Sequence, residues 1–276
     1  MRRVILATTG PSFVLSSLIE ERSIHLAGIV HFNPVTTELL HPITEKGIDC
    51  YIYDNDINSL KEWIEVRGPD ILIIYKMPFL LPKNIFSLPK FGSINIHPSL
   101  LPDYRGPNPW FWVYYNMETM GGITIHRVDK YEDHGEILIQ KHFDIELGEE
   151  LYYLQLKAEK LIYPELLNLV SHIDTVKGIQ QTSNPLHDRS PNISDYSSIV
   201  NLDDMDGIRI WHLLRGFPHL LYLFTKGCQC KYKIGGFISD PDMKKCDIGQ
   251  IINDGKNLYL YCINGKILLI NEMTGE

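Results

Sequence analysis

Short apolar runs rich in β-branched residues recur along the first hundred positions, and each one stops at a polar or turn-forming cluster. They fall at residues 3–8, 24–30, 49–53, 70–75 and 92–98. Such runs are too short for wholly buried helices and suit strands covered on both faces. Helical stretches at residues 12–20 and 59–66 separate some of them. Alternation of this kind predicts an α/β chain with a mostly parallel sheet and helices on both faces. Two further strands are expected at 121–128 and 135–143. A long helix follows at 149–170, where Glu149 and Glu150 put negative charge at the helix start. With 276 residues, 44% of them hydrophobic, the chain can fill one large core and a second small one.

The pattern changes at about residue 180. Gln180 to Asp195 is polar, contains Pro185 and Pro191, and reads as a linker or a draped surface segment. A helix is expected from Asp206 to Arg215, then short strands at 230–234, 249–252, 258–263 and 266–270. Asn253-Asp254-Gly255 and Asn264-Gly265 mark hairpin turns. This organisation predicts a catalytic domain at 1–180, a linker at 181–202 and a small, β-rich, barrel-like domain at 203–276. The aromatic run Pro109 to Tyr115 reads as a helix that begins at proline and packs into a core, with one or two rings free to edge a pocket.

Several functions are set aside by what the chain lacks. After the first strand the text is Thr8-Thr9-Gly10-Pro11-Ser12, with neither a GxGxxG nor a P-loop, so a nucleotide-type fold is expected without dinucleotide. The five cysteines, Cys50, Cys228, Cys230, Cys246 and Cys262, lack zinc-knuckle spacing; no metal is expected, and free thiols suit the cytoplasm. No apolar run reaches the length of a bilayer span. The start, Met1 to Ala7, reads as a first strand rather than a signal segment, because threonine, glycine and proline follow at once. A formal net charge of −8 argues against a broad nucleic-acid surface.

The chemistry gathers near the end of the fifth strand. Asn95 and His97 are two residues apart on a strand, so they share a face. They stand at its C-terminal end, where open sheets hold ligands. Downstream, Asp129-Lys130-Tyr131-Glu132-Asp133-His134 is a short loop rich in ionisable groups. An asparagine amide donates to an oxygen that gains negative charge. A histidine relays a proton. A carboxylate orients the histidine or favours its charged form. Asn95, His97 and Asp133 together suit attack of an amine on a carbonyl-like carbon. Asn-x-His taken alone is equally compatible with a hydrogen-bonded strand end.

The run Ser93-Ile94-Asn95-Ile96-His97-Pro98-Ser99-Leu100-Leu101-Pro102-Asp103-Tyr104-Arg105-Gly106 resembles the signature of folate-dependent formyltransferases. So does Gly122-Ile123-Thr124-Ile125-His126-Arg127-Val128-Asp129, which leads to Asp133-His134-Gly135-Glu136-Ile137-Leu138. The likeness is strongest over residues 70–150. It implies a Rossmann-like α/β domain that transfers a formyl group from N10-formyltetrahydrofolate, with Asn95, His97 and Asp133 as the active centre. It implies pterin binding by the loops Met77 to Leu81 and Lys130 to Asp133. Met77, Phe79, Leu80, Leu81, Lys130 and Tyr131 are then the folate-binding candidates; a turn that buries Phe79, Leu80 and Leu81 in itself is the other reading. His134 takes the variable place of the Asp-x-Gly motif and is expected only to neighbour the site.

The acceptor is a separate question. Tyr104, Arg105 and Arg127 are candidates for substrate binding. Arg105 either binds a phosphate or fixes its loop, and Arg127 and Lys130 are equally explained as solvated surface. Relatives acting on methionyl-tRNA also carry a small second domain, and His212-Leu213-Leu214-Arg215-Gly216 is similar to the helix that opens it. They have a longer basic loop after the second strand, whereas His31 to Glu38 is short and has no lysine or arginine. Phosphate backbones call for a positive surface. A nucleoside-diphosphate amino sugar is therefore the expected acceptor, with tRNA the runner-up. Another small amine, or water in a hydrolase, would use the same three side chains. A homodimer is compatible with the resemblance, though no residue here requires one.

Overall fold

The computed structural model describes residues 1–32, 37–181, 185, 187, 189–225, 232–243 and 247–271. Residues 33–36 of the loop after the second strand, parts of the expected 181–202 linker, the start of the strand expected at 230–234, and Cys228, Cys230 and Cys246 lie outside the described residues.

The large sheet has the order β3-β2-β1-β4-β5-β6-β7. Its strands are β1 Arg3–Thr8, β2 His25–His31, β3 Cys50–Ile52, β4 Ile71–Tyr75, β5 Ser93–His97, β6 Met120–Arg127 and β7 Ile137–Asp144. The pairs β2–β3, β1–β2, β1–β4 and β4–β5 are parallel, and β5–β6 is antiparallel. The sheet is thus mixed and mostly parallel, as the apolar runs require. Both faces are covered: Ile5, Ala7, Leu72 and Ile74 share one buried cluster with Leu60, Ile64, Ile85 and Phe86, and the alternate residues Val4, Leu6, Ile71 and Ile73 are equally buried.

The connecting helices begin where their caps allow. The Ser12 side chain accepts from the Leu15 N–H to open α1 Phe13–Glu20. Asp56 accepts from the Asn58 and Ser59 N–H groups to open α3 Ile57–Arg67, which closes on Gly68 at φ 50. Two helices have no counterpart in the sequence reading: α2 Thr37–Glu45, which contains Pro42, and the single turn α4 Lys83–Phe86.

The long helix α6 Leu151–His172 follows β7. It carries Glu159, whose side chain is buried. The Glu159 carboxylate accepts from the Val14 N–H at 3.2 Å and the Tyr75 hydroxyl at 2.7 Å, and lies 3.3 Å from the Lys76 ammonium. An internal side chain therefore occupies the start of α1, where a nucleotide fold would present backbone N–H groups to a phosphate.

The chain divides into two compact units. The first holds residues 1–109, 121–143 and 155–190, and the second holds 110–120, 144–154 and 191–276. In the second unit, a four-stranded antiparallel sheet has the order β8-β11-β10-β9. Its strands are β8 Tyr232–Ser239, β9 Ile251–Asn253, β10 Leu258–Cys262 and β11 Gly265–Asn271. Asn264 takes φ 62 in the turn between β10 and β11, and Gly255 takes φ 93 between β9 and β10. Both turn signals thus close hairpins.

Helix α7 Gly207–Gly216, capped by Asp206, joins this sheet: Trp211 Nε1 donates to the Gly235 carbonyl at 2.7 Å. The aromatic run forms α5 Pro109–Tyr115, with Phe111 and Tyr114 buried. The Tyr114 ring stacks on His212 at 4.6 Å and meets Phe217 edge-on at 5.6 Å, so core packing is what these aromatics do. Among the described residues, no helix is long and apolar enough to cross a membrane, no three His, Cys, Asp or Glu side chains gather as a metal site, and Cys50 and Cys262 are free thiols.

Candidate active site

The register of β5 against β6 assembles the site, which lies within the first unit. Asn95 pairs with His126, and His97 with Thr124. Directly opposed residues on antiparallel strands bring their side chains together. Asn95 Nδ2 accordingly lies 3.1 Å from His126 Nε2. Asp133 comes from the loop between β6 and β7, with φ 53. Its Oδ1 accepts from Asn95 Nδ2 at 3.1 Å and lies 3.4 Å from His126 Nε2, while its Oδ2 is 3.4 Å from His97 Nδ1. Asn95 and His97, expected from sequence, thus both reach Asp133, and a fourth residue, His126, stands among them.

Hydrogen bonds fix the rings. His97 Nε2 lies 2.8 Å from the Tyr104 carbonyl, which accepts only from a protonated nitrogen. A neutral His97 thus carries its proton on Nε2 and turns Nδ1 to Asp133. His126 Nδ1 lies 2.8 Å from the Arg127 carbonyl, so its neutral ring presents an accepting Nε2 to the Asn95 amide. The Gly106 N–H donates to Asp133 Oδ2 at 2.8 Å.

The electrostatics follow from burial and these partners. Burial pushes the His97 imidazole below its ordinary value, against the opposing pull of Asp133 and the Tyr104 carbonyl. Burial works to raise the Asp133 carboxyl. The charge that His97 and His126 carry when protonated, with the Gly106 N–H, outweighs it and holds the group well below the usual carboxylate range. The site at rest is a carboxylate beside an imidazole that stays neutral near pH 7.

Glycine at 135 is a steric requirement. A Cβ there would overlap the Arg127 carbonyl oxygen, the same oxygen that accepts from His126. The Asp-x-Gly spacing therefore lets the Asp133 loop lie flat against the end of β6.

The other expected residues divide. Phe79 and Leu80 are 39% and 62% exposed, and Tyr131 is 59% exposed. They stand on the loops that follow β4 and β6, the two neighbours of β5. Met77 is half-buried, and the Lys130 ammonium sits 4.7 Å from the Tyr131 ring centroid. Leu81 instead belongs to the buried cluster with Ile85 and Phe86, so the loop after β4 buries one of its apolar residues and leaves Phe79 and Leu80 out. The Phe79 ring is 5.1 Å from Phe32 and 5.4 Å from Tyr53. His134 is exposed, its ring 6.0 Å from Tyr131.

Tyr104 is buried at φ 58, stacks on His187 at 4.6 Å and offers its carbonyl to His97. Arg105 is only 6% exposed, and its Nε and Nη2 donate to Gln181 Oε1 at 3.0 and 2.7 Å. Arg127 donates to the Phe91 carbonyl at 3.2 Å, toward the start of β5 and away from the Asn95–His97–Asp133 group. Sequence reasoning gave no role to His126 or Gln181. Strand period places His126 on the same face as Thr124, but its place opposite Asn95 comes from the β5–β6 register. Gln181 has no local signal.

An asparagine and a histidine at the end of β5, a second histidine on β6 and a carboxylate from the loop after it are groups suited to moving a carbonyl carbon between nucleophiles. The sequence pattern of the Formyl transferase family matches residues 54–167. The methionyl-tRNA formyltransferase of Syntrophus aciditrophicus is 33% identical over 219 residues, covering 75% of this chain and 67% of that one. The methionyl-tRNA formyltransferase of Ehrlichia chaffeensis is 27% identical over 248 residues, covering 88% and 79%. Among solved structures, WlaRD, a sugar 3N-formyl transferase crystallised with dTDP and 5-N-formyl-THF, shares the fold with a TM-score of 0.63 at 17% identity. That likeness covers 99% of this chain and 98% of the other. This chain belongs to the folate-dependent formyltransferases, enzymes that take their formyl group from N10-formyltetrahydrofolate.

Proposed function

We propose that the acceptor is the amine of an amino sugar carried on a nucleoside diphosphate, and that Asn95, His97 and Asp133 carry the transfer. The amine nitrogen bonds to the formyl carbon, and the bond from that carbon to N10 breaks. The amine loses a proton and N10 gains one, giving the formylated amine and tetrahydrofolate. Asn95 Nδ2 keeps its hydrogen bond to Asp133 and exchanges the one to His126 Nε2 for the formyl oxygen as negative charge builds there. His97 holds the proton between its departure and its delivery. It starts neutral because it is buried, and Asp133 at 3.4 Å stabilises the imidazolium that forms. Met77, Phe79, Leu80 and Tyr131 supply apolar walls suited to the rings of the folate, with Lys130 at the rim. Tyr104 and Arg105 act through the loop they hold.

One observation carries the choice of acceptor: the charge. The chain bears a net −8. The two arginines of α7 are engaged internally, Arg209 on the Tyr115 carbonyl, and Arg215 on the Gly148 and Ile234 carbonyls and Glu150. A tRNA backbone is drawn by cations that face solvent. The full-length match in fold to a sugar N-formyltransferase supports the same reading. The names of the curated relatives favour a second one, methionyl-tRNA, over 88% of the chain.

The deciding assay supplies N10-formyltetrahydrofolate with a panel of amino-sugar nucleotides and, separately, with charged initiator tRNA. Tetrahydrofolate release is followed alongside mass gain on each acceptor. A formylated sugar nucleotide with untouched tRNA is the expected result. Efficient formylation of the tRNA overturns it. Folate turnover without any formylated product points to water as the acceptor.

A further inference from the structure

Gln181 lies far from the signature in sequence, yet its side chain joins both loops that complete the site. Its Nε2 donates to the Asp133 and Gly135 carbonyls, each at 2.8 Å. Its Oε1 accepts the two hydrogens of Arg105 described above. One amide therefore ties the turn that carries Asp133 to the loop that carries Arg105 and Gly106.

That turn needs an outside hold. Asp133 is at φ 53 and is not glycine, a backbone conformation that persists when surrounding contacts determine it. The two carbonyls that Gln181 grips flank His134, so both ends of the strained turn are fixed. Arg105 in turn cannot lose its charge at any working pH, and it is buried, so it needs acceptors, of which the Gln181 Oε1 is one. The next residue, Gly106, gives its N–H to Asp133 Oδ2. A closed ring of contacts results: carboxylate of Asp133, N–H of Gly106, guanidinium of Arg105, amide of Gln181, and back to the carbonyl of Asp133.

We propose that Gln181 is a positioning residue for formyl transfer, its amide locking the Asp133 turn against the Arg105–Gly106 loop so that one carboxylate meets both His97 and Asn95. The inference rests on the role given to Asp133 above. Without the amide the turn relaxes, the Gly106 N–H loses its place, and Asp133 moves away from His97. A displacement of about 1 Å costs about 100-fold in rate.

The test has a readout that needs no acceptor. In the intact chain, the His97 ring is followed by NMR across a pH titration, its signal assigned with His97→Ala. The charged or titrating groups facing His97 are Asp133 and Glu132 from the β6–β7 loop and His126 from β6, with the Tyr104 carbonyl on its other nitrogen. Asp133→Asn removes the nearest carboxylate and moves the His97 titration to lower pH by about one unit. Gln181→Met is expected to move it in the same direction, and to lower kcat about 10- to 100-fold on the acceptor the panel identifies. A merely destabilised protein would lose amplitude at every pH without moving the midpoint. Should Gln181→Met fail to fold, Gln181→Asn serves. It keeps an uncharged amide but is one methylene too short to reach both loops, and the same shift is expected. A His97 midpoint that moves in Asp133→Asn and stays fixed in the folded Gln181 variants overturns the role of Gln181. A midpoint unmoved in Asp133→Asn instead refutes the reading of the site itself.

Discussion

Protonation of His212 should destabilise the second unit between about pH 6.5 and 4. This histidine is buried on α7, its Nδ1 accepts from the Gly148 N–H at 2.9 Å, and its ring stacks on Tyr114. An Nδ1 that accepts must be unprotonated. Burial, only partly opposed by Glu149, lowers the group from 6.5 to about 4. The unfolded chain therefore binds a proton in this window that the folded chain does not, and stability falls as the pH falls. The contribution is fully present above about pH 6.5. It is lost progressively down to about pH 4. One pKa unit corresponds to about 1.4 kcal/mol, so the upper bound is about 3 kcal/mol. Relaxation and solvent entry around the charged ring bring this to about 1–2 kcal/mol.

His212→Asn is the matched variant. Its side-chain oxygen can still accept from Gly148, but it does not titrate and does not stack. Urea midpoints read by tryptophan fluorescence would be compared at pH 7.5 and 4.5. The variant is expected to be the less stable at pH 7.5, with the gap narrowing at pH 4.5. Because the other titrating groups are common to both proteins, they cancel in that difference. An equal gap at the two pH values would refute the argument.

Two further outcomes follow from the site. His97→Ala should lower kcat by about 100- to 10,000-fold while folate binding, measured by calorimetry, is largely kept; undiminished turnover would remove His97 from proton transfer. Gly135→Ala should cost about 1–3 kcal/mol or more, because a methyl there overlaps backbone that cannot swing aside. A melting temperature within a degree of the parent would show that the close approach to Arg127 is not rigid.

The strands were legible because burial on both faces leaves a run of β-branched residues with no competing pattern. Arg3–Thr8 and Ile71–Tyr75 fall within a residue of the expected bounds. Helix α2 was not legible, since Pro42 within it removes the signal that a helix normally gives. At the site, Asn95 and His97 could be paired by strand period alone. His126 could not, because its place opposite Asn95 depends on the register between two strands. Arg105 shows the limit most clearly. Its charge next to a glycine suggests a ligand, but a partner that holds it is 76 residues away. Leu81 is similar: an apolar residue in a binding loop gives no sign whether it faces the ligand or the core.

The side chain of Glu159 gives the fold a form of selectivity. In an α/β sheet, the helix start after the first strand is the most favourable seat for an anion. Here a tethered carboxylate fills it permanently, at an effective concentration that no free phosphate can match. A free phosphate could sit at the start of α1 only by displacing a side chain that also holds the Tyr75 hydroxyl and the Lys76 ammonium.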